Sequence, residues 1–168
     1  MKQLLPYRII SFILLPIAAF FGMMVFLLLF IAMANPALLL PLFVFAGVVV
    51  YIITSFIFLQ KGIDQKKVCK HSLKDLIKVN AIVSIIFGVM ALVQSVGILM
   101  SPGMQKEVVA QVMLQQQNNP TVFSEQMALK IVMGMLYFML FFSVLLLTHI
   151  FISFRLLKTH AHLFAPKP

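Results

Sequence analysis

One histidine in this sequence occupies a position where its chemistry would matter. His149 is the only histidine inside a long apolar stretch, and imidazole is the side chain that most readily exchanges a proton near neutral pH. Hydroxyl side chains occur at comparable depths in three other apolar stretches. The sequence therefore predicts a polar layer that consists of Ser11, Thr54, Ser55, Ser84 and His149. Such a layer either lines a path for a proton or ligand or joins helices by hydrogen bonds, and we favour the hydrogen bonds.

Thiol and imidazole groups also occur together outside the apolar stretches. Cys69 and His71 precede the third stretch, and His160 and His162 follow the fourth. Their spacing matches no structural zinc motif, and a single cysteine excludes an internal disulfide. The lysines beside Cys69 are expected to lower the pKa of its thiol. Because the sequence also lacks paired carboxylates, nucleophile motifs and phosphate-binding loops, we expect no enzyme activity, no metal and no cofactor.

The third apolar stretch carries small side chains at spacings of three and four residues. On a helix this spacing places them on one face, where they let another helix approach closely. The face consists of Ala81, Ser84, Gly88, Ala91 and Ser95. It serves either another protomer or packing among the chain's own helices, and we favour the chain's own helices. Gln94 lies at a depth that matches Tyr137 in the fourth stretch, so these two polar side chains could pair.

The composition indicates which elements must position these residues. Hydrophobic residues make up 62% of the chain, charged residues 10%, and the mean hydropathy is +1.10. Soluble domains are about half apolar and a quarter charged. Apolar runs long enough to cross a bilayer as helices recur four times. The sequence therefore predicts an all-α integral membrane protein, a four-helix bundle that forms a single domain over 1–168, with spans at about 7–33, 37–60, 79–100 and 128–154.

The first span has two further features. Ala32 to Ala34 has the small residues of a signal-peptidase site, but the apolar run before it is about twice as long as in signal peptides, so we expect an uncleaved span. Tyr7 is expected to anchor this span at the membrane interface, because the chain contains no tryptophan.

Turn signals predict how the first three spans are connected. Asn35-Pro36 predicts that the second span returns immediately after the first. Gly62 is expected to cap the end of the second helix, and the basic segment 61–78 to form a loop. Within this segment the next helix is expected to start at Ser72.

The connection between the third and fourth spans, 101–127, is predicted to contain a short amphipathic helix at about Met104–Leu114. This helix is expected to lie on the membrane or over the ends of the spans. Its apolar face consists of Met104, Val108, Val109, Val112 and Met113. The tract Gln115–Asn119 is expected to be solvated, and Asn119-Pro120 to cap the last helix.

The basic residues predict the orientation in the membrane. Thirteen lysines and arginines stand against four acidic residues. Only Lys106 and Lys130 fall on one side of the predicted spans, whereas eleven fall on the other: Lys2, Arg8, Lys61, Lys66, Lys67, Lys70, Lys74, Lys78, Arg155, Lys158 and Lys167. By the positive-inside rule, both termini and the middle loop are cytoplasmic.

These basic residues also indicate what the chain contacts. Because they lie at the ends of apolar runs, we expect them to bind anionic lipid headgroups and not nucleic acid. The contact residues are expected to be Lys61, Lys66, Lys67, Lys70, Lys74, Lys78, Arg155 and Lys158.

The sequence favours a non-enzymatic protein that acts by helix association, as an accessory subunit or a homo-oligomer. The alternative is a small transport or channel component in which the layer around His149 lines the path. A water-filled cavity at His149 would favour transport, and a filled interior with an exposed small-residue face would favour association. The proline after Asn119 blocks its glycosylation sequon, which is compatible with a bacterial cytoplasmic membrane.

Overall fold

The computed structural model describes residues 4–116 and 124–164, and these residues are almost entirely helical. Four helices are long and apolar enough to cross a membrane, which confirms the predicted all-α class and the four long apolar helices. The helices are α1 (Leu4–Ala34), α2 (Leu39–Ile57, continued by a π-helical segment, Phe58–Asp64), α3 (His71–Met100), α4 (Pro102–Gln116) and α5 (Glu125–Thr159), with short 3-10 turns at Pro36–Leu38 and Ala161–Leu163.

The turn between α1 and α2 is as short as the sequence predicts. The side chain of Asn35 accepts a hydrogen bond from the Ala37 amide at 3.2 Å, and the Leu38 amide donates to the Asn35 carbonyl at 3.1 Å. Pro36 occupies the first position of this turn, where its missing N–H leaves no partner unsatisfied. An ion pair between Arg8 and Asp64 joins the other ends of the two helices.

Gly62 does not end the second helix as a C-cap. It lies inside the π-helical segment Phe58–Asp64, and its backbone does not adopt a positive φ. A Cβ atom at this position would lie 2.9 Å from the Phe58 ring, so the glycine is needed for close packing. The helical segment continues to Asp64 and α3 begins at His71, one residue before the predicted Ser72, so the loop is shorter than 61–78.

The segment after α5 folds back onto this loop. The Cys69 amide donates to the Leu163 carbonyl at 2.7 Å. The buried ring of Phe164 stacks on Phe58 with ring centroids 5.2 Å apart, and the Lys74 ammonium lies 5.5 Å from the centre of the Phe164 ring. Loop and tail segment therefore share one small apolar core.

The chain divides into two compact units. One comprises Met1–Phe87 and Leu145–Pro168, of which the structure describes 4–87 and 145–164. Its core contains large apolar side chains from α1, α2 and the portions of α3 and α5 that belong to it: Leu14, Ile52, Phe58, Ile77, Leu146, Ile150 and Leu157.

The other unit is Gly88–Val144. In it, one face of α4 packs against α5, and the contact consists of Val108, Val109, Val112, Met113, Ala128, Val132 and Leu136. The predicted outer helix is thus present and longer than expected, because it runs from Pro102 to Gln116. Met104, which was predicted to belong to the apolar face, lies outside this contact and is 47% exposed. The helix also includes Gln115 and Gln116, the first two residues of the tract expected to be solvated.

Several predicted features lie outside the described residues. They are the Asn119-Pro120 cap, the rest of the glutamine and asparagine tract, and the charges of Lys2 and Lys167.

Candidate functional site: a buried imidazole and its hydroxyl partners

His149 lies on α5 and is bonded through both ring nitrogens. Its side chain is 1% exposed. Nε2 lies 2.9 Å from the hydroxyl of Ser11 on α1, and Nδ1 lies 2.8 Å from the hydroxyl of Tyr51 on α2. One imidazole therefore joins three helices.

The hydrogen-bond pattern assigns the tautomer of this imidazole. The Ser11 hydroxyl donates to the Tyr7 carbonyl at 2.7 Å, because a carbonyl oxygen can only accept a hydrogen bond. The single hydroxyl proton of Ser11 is thereby used, so the oxygen of Ser11 accepts from Nε2–H of His149. Nδ1 then carries a lone pair and accepts from the Tyr51 hydroxyl. Every contact of the ring is satisfied by a neutral imidazole.

Two tyrosine rings enclose His149. The Tyr7 ring stacks on the imidazole with centroids 4.6 Å apart and planes inclined by 9°, and its hydroxyl donates to the Ser55 carbonyl at 3.3 Å. The Tyr51 ring meets the imidazole edge-on, with centroids 5.6 Å apart. The prediction that Tyr7 anchors the interface is wrong, because its side chain is fully buried and makes a specific contact with α2.

Two further hydroxyls are buried beside the tyrosines. Ser55 on α2 and Ser153 on α5 are fully buried and lie near the hydroxyls of Tyr7 and Tyr51. The oxygen of neither serine has a partner at hydrogen-bond geometry within the described residues.

The structure assembles only part of the predicted polar layer. Ser11 and His149 bond directly, and Ser55 lies beside them. Thr54 instead bonds the carbonyls of Val50 and Tyr51 in its own helix, and Ser84 bonds the carbonyl of Asn80. Neither of these two side chains bonds the imidazole.

The residues that were missed are Tyr7, Tyr51 and Ser153. A signal for all three is present in the sequence, because each helix contributes a ring and a hydroxyl four residues apart: Tyr7 and Ser11, Tyr51 and Ser55, His149 and Ser153. Side chains at this spacing lie on the same face of a helix.

The hydrogen bonds of His149 link α5 to α1 and α2. In the assigned tautomer His149 donates to Ser11, so it does not act as a base toward that hydroxyl. Among the residues that the structure describes, both ring nitrogens bond hydroxyls and neither bonds a carboxylate. Neutral hydrogen bonds of this kind stabilise helix contacts in membrane proteins by about 0.6 to 2 kcal/mol each.

The small-residue face of α3 is buried along its length. Ala81, Ser84, Gly88, Ala91 and Ser95 are all buried, which agrees with packing among the chain's own helices. The expected pairing of Gln94 with Tyr137 is not formed, because both side chains are exposed.

The thiol and imidazole groups near the middle loop do not assemble into a metal site. His71 pairs with Asp75 at 3.0 Å, and His160 bonds the carbonyl of Leu156. Within 4–116 and 124–164, no three histidine, cysteine or acidic side chains are placed to hold a metal ion. Burial raises the pKa of the Cys69 thiol, and Lys61 opposes this only in part. The expected lowering of that pKa by lysines is therefore wrong.

Comparison with protein families, with curated proteins and with solved structures gives no match to this chain.

Proposed function

We propose that this chain is a non-enzymatic integral membrane protein that acts by lateral helix association, as a homo-oligomer or an accessory subunit in a bacterial cytoplasmic membrane. One observation carries the proposal: α3 exposes a polar amide, Gln94, on a face that is otherwise apolar.

The exposed face of α3 contains Met90, Val93, Gln94 and Gly97, which lie on one side of the helix. Gln94 makes no side-chain hydrogen bond within the part of the chain that the structure describes. An amide in a hydrocarbon environment without partners is costly. A second helix that supplies a partner for Gln94 would remove this cost.

Gly97 makes such an approach feasible. It lies nearly one turn after Gln94, and a Cβ atom built at this glycine would meet nothing within 4 Å. Small residues at such positions allow helices in membranes to approach closely. A carboxamide both donates and accepts, so Gln94 of a second copy is a complementary partner across a two-fold axis.

The transport alternative finds less support in the geometry. A path along the polar layer needs a group with free hydrogen-bonding capacity that water or a ligand can reach. His149 is almost completely buried, and both ring nitrogens are already bonded to hydroxyls of the chain.

Replacing Gln94 with leucine should weaken association about 3- to 20-fold, which corresponds to one interhelical hydrogen bond in a membrane. Gly97→Leu should have a similar or larger effect because it holds the helices apart. The matched control is Gly134→Leu on α5, since that glycine is also exposed with nothing within 4 Å of its Cβ. Subunit counting in bilayers measures the effect. A wild-type chain that is monomeric there and purifies without a partner in mild detergent would contradict the proposal.

The orientation with both chain ends and the middle loop in the cytoplasm, and α4 outside, is also a proposal. It rests on the distribution of lysine and arginine. In a Cys69→Ser background, a membrane-impermeant maleimide should label Gln111→Cys in intact cells and label Lys70→Cys only after lysis; both positions are exposed. The reverse pattern would overturn this orientation.

The native Cys69 should react more slowly than Lys70→Cys at neutral pH and gain reactivity as pH rises, because burial raises its thiol pKa.

A further inference from the structure

A cavity of about 430 Å³ lies where α3 and α5 leave their apolar segments, inside the unit that also holds His149. We name it the lysine cavity. It is lined by Lys74, Lys78, Phe154, Leu157, Lys158 and Ala161. Three cations thus surround a space whose remaining lining is apolar. The volume falls within the range of small-molecule sites.

Within 4–116 and 124–164, none of the three lysines forms a salt bridge. The four acids of the sequence are Asp64, Asp75, Glu107 and Glu125. Asp64 pairs with Arg8 and Asp75 with His71, and none of the four forms a salt bridge to a lysine of the cavity within the described residues. Lys74 and Lys78 are also four residues apart on α3, so they repel each other. An anion bound between them would remove this repulsion.

The apolar part of the lining indicates which kind of anion fits. Lys78 immediately precedes the apolar run of α3 that starts at Val79, and Phe154 is the last residue of the apolar run of α5. The cavity therefore lies at the level where a bilayer changes from hydrocarbon to headgroups. A soluble anion makes no use of Phe154 and Leu157, whereas a phospholipid would place its phosphate among the lysines and its first methylene groups against these side chains.

We propose that the lysine cavity binds the phosphate headgroup of an anionic phospholipid. The inference does not depend on the association proposed above. Lys74 is held beside the cavity by its contact with the Phe164 ring, so part of the site is already ordered before the lipid arrives. The general attraction of the basic loop for a negative surface is a separate and less specific effect.

The test compares two variants that remove equal charge. One carries Lys74→Gln, Lys78→Gln and Lys158→Gln, and the control carries Lys66→Gln, Lys67→Gln and Lys70→Gln, which are exposed loop positions outside the lining. Binding of fluorescent phosphatidylglycerol to the full chain in neutral detergent is measured, with circular dichroism to confirm equal helix content. The cavity variant should lose roughly tenfold or more in affinity, since each lysine near a headgroup contributes about fivefold. The control should lose less than threefold.

Competition identifies the source of the phosphate. Unlabelled phosphatidylglycerol should displace the probe, whereas phosphatidylcholine should displace it at least tenfold less well and inorganic phosphate should not displace it at equal concentration. Equal losses in the two variants would overturn the proposal, because the binding would then reflect loop charge alone. Displacement by inorganic phosphate as effective as by the lipid would also overturn it, because the site would then bind a free anion.

Discussion

Replacing His149 with leucine is expected to lower the free energy of unfolding by about 2 to 5 kcal/mol. The substitution removes two hydrogen bonds, each stabilising by about 0.6 to 1.7 kcal/mol in a membrane protein, and a ring contact with Tyr7 that contributes about 0.5 to 1.5 kcal/mol. Unfolding in mixed micelles with increasing dodecyl sulfate measures the change. The control is Phe151→Leu on the same helix, which is 72% exposed and should change stability by less than about 0.5 kcal/mol.

A double-mutant cycle tests whether His149 acts through Tyr51. Tyr51→Phe alone removes the hydroxyl that donates to Nδ1 and should destabilise by about 1 kcal/mol. In the His149→Leu background the same substitution should have little further effect, because its partner is already absent. Strict additivity of the two losses would show that this hydroxyl and the imidazole do not interact.

Enlarging Gly47 is expected to produce the second large effect. A Cβ atom at this position in α2 would lie 2.9 Å from Cγ1 and 3.3 Å from Cβ of Val83 on α3. Gly47→Ala should therefore destabilise by about 1 to 3 kcal/mol, and Gly47→Leu should prevent correct packing of the two helices. The same unfolding assay measures the first variant, and yield of monodisperse protein measures the second.

Two companion variants make the Gly47 prediction specific. Val83→Ala removes Cγ1, the nearer of the two atoms that the new methyl would meet, so it should restore part of the stability of Gly47→Ala. Gly22→Ala is the matched control, because its Cβ would lie 3.8 Å from Val49, at ordinary contact distance. The control should be neutral or stabilising by up to about 1 kcal/mol, since glycine is unfavourable within a helix. Equal stabilities of Gly47→Ala and Gly22→Ala would contradict the close approach of α2 and α3.

Sequence reasoning predicted the features that depend on hydrophobic length and local turn chemistry. Four runs of apolar residues are sufficient to predict four long helices, and Asn35-Pro36 is sufficient to predict the short turn between α1 and α2. The depth of a residue in the membrane can also be estimated by counting residues from the end of its span. For this reason Ser11 and His149 were correctly expected at similar levels.

The rotation of each helix was harder to predict, because apolar residues surround these helices on every side. Amphipathicity therefore does not show which face is buried. Thr54 and Ser55 are adjacent in sequence, yet Thr54 bonds its own helix and Ser55 lies beside the tyrosines. Tyr7 was misplaced for the same reason: a tyrosine near the end of a span fits the interface as well as the interior. The pairs of a ring and a hydroxyl four residues apart indicate which face of each helix is buried. A face with two polar side chains is more costly to expose to lipid than a face that is entirely apolar.

Phe164 also determines when the fold can be completed during synthesis. Its ring stacks on Phe58, and Gly62 lies close to both Phe58 and Cys69. The ribosome adds Phe58 more than one hundred residues before Phe164. The Phe58 ring therefore lacks its stacking partner while α3, α4 and α5 are synthesised. The last stacking contact forms only after translation has passed residue 164. A chain that is truncated before Phe164 and released from the ribosome should therefore keep the middle loop susceptible to protease, even though it contains all four long helices.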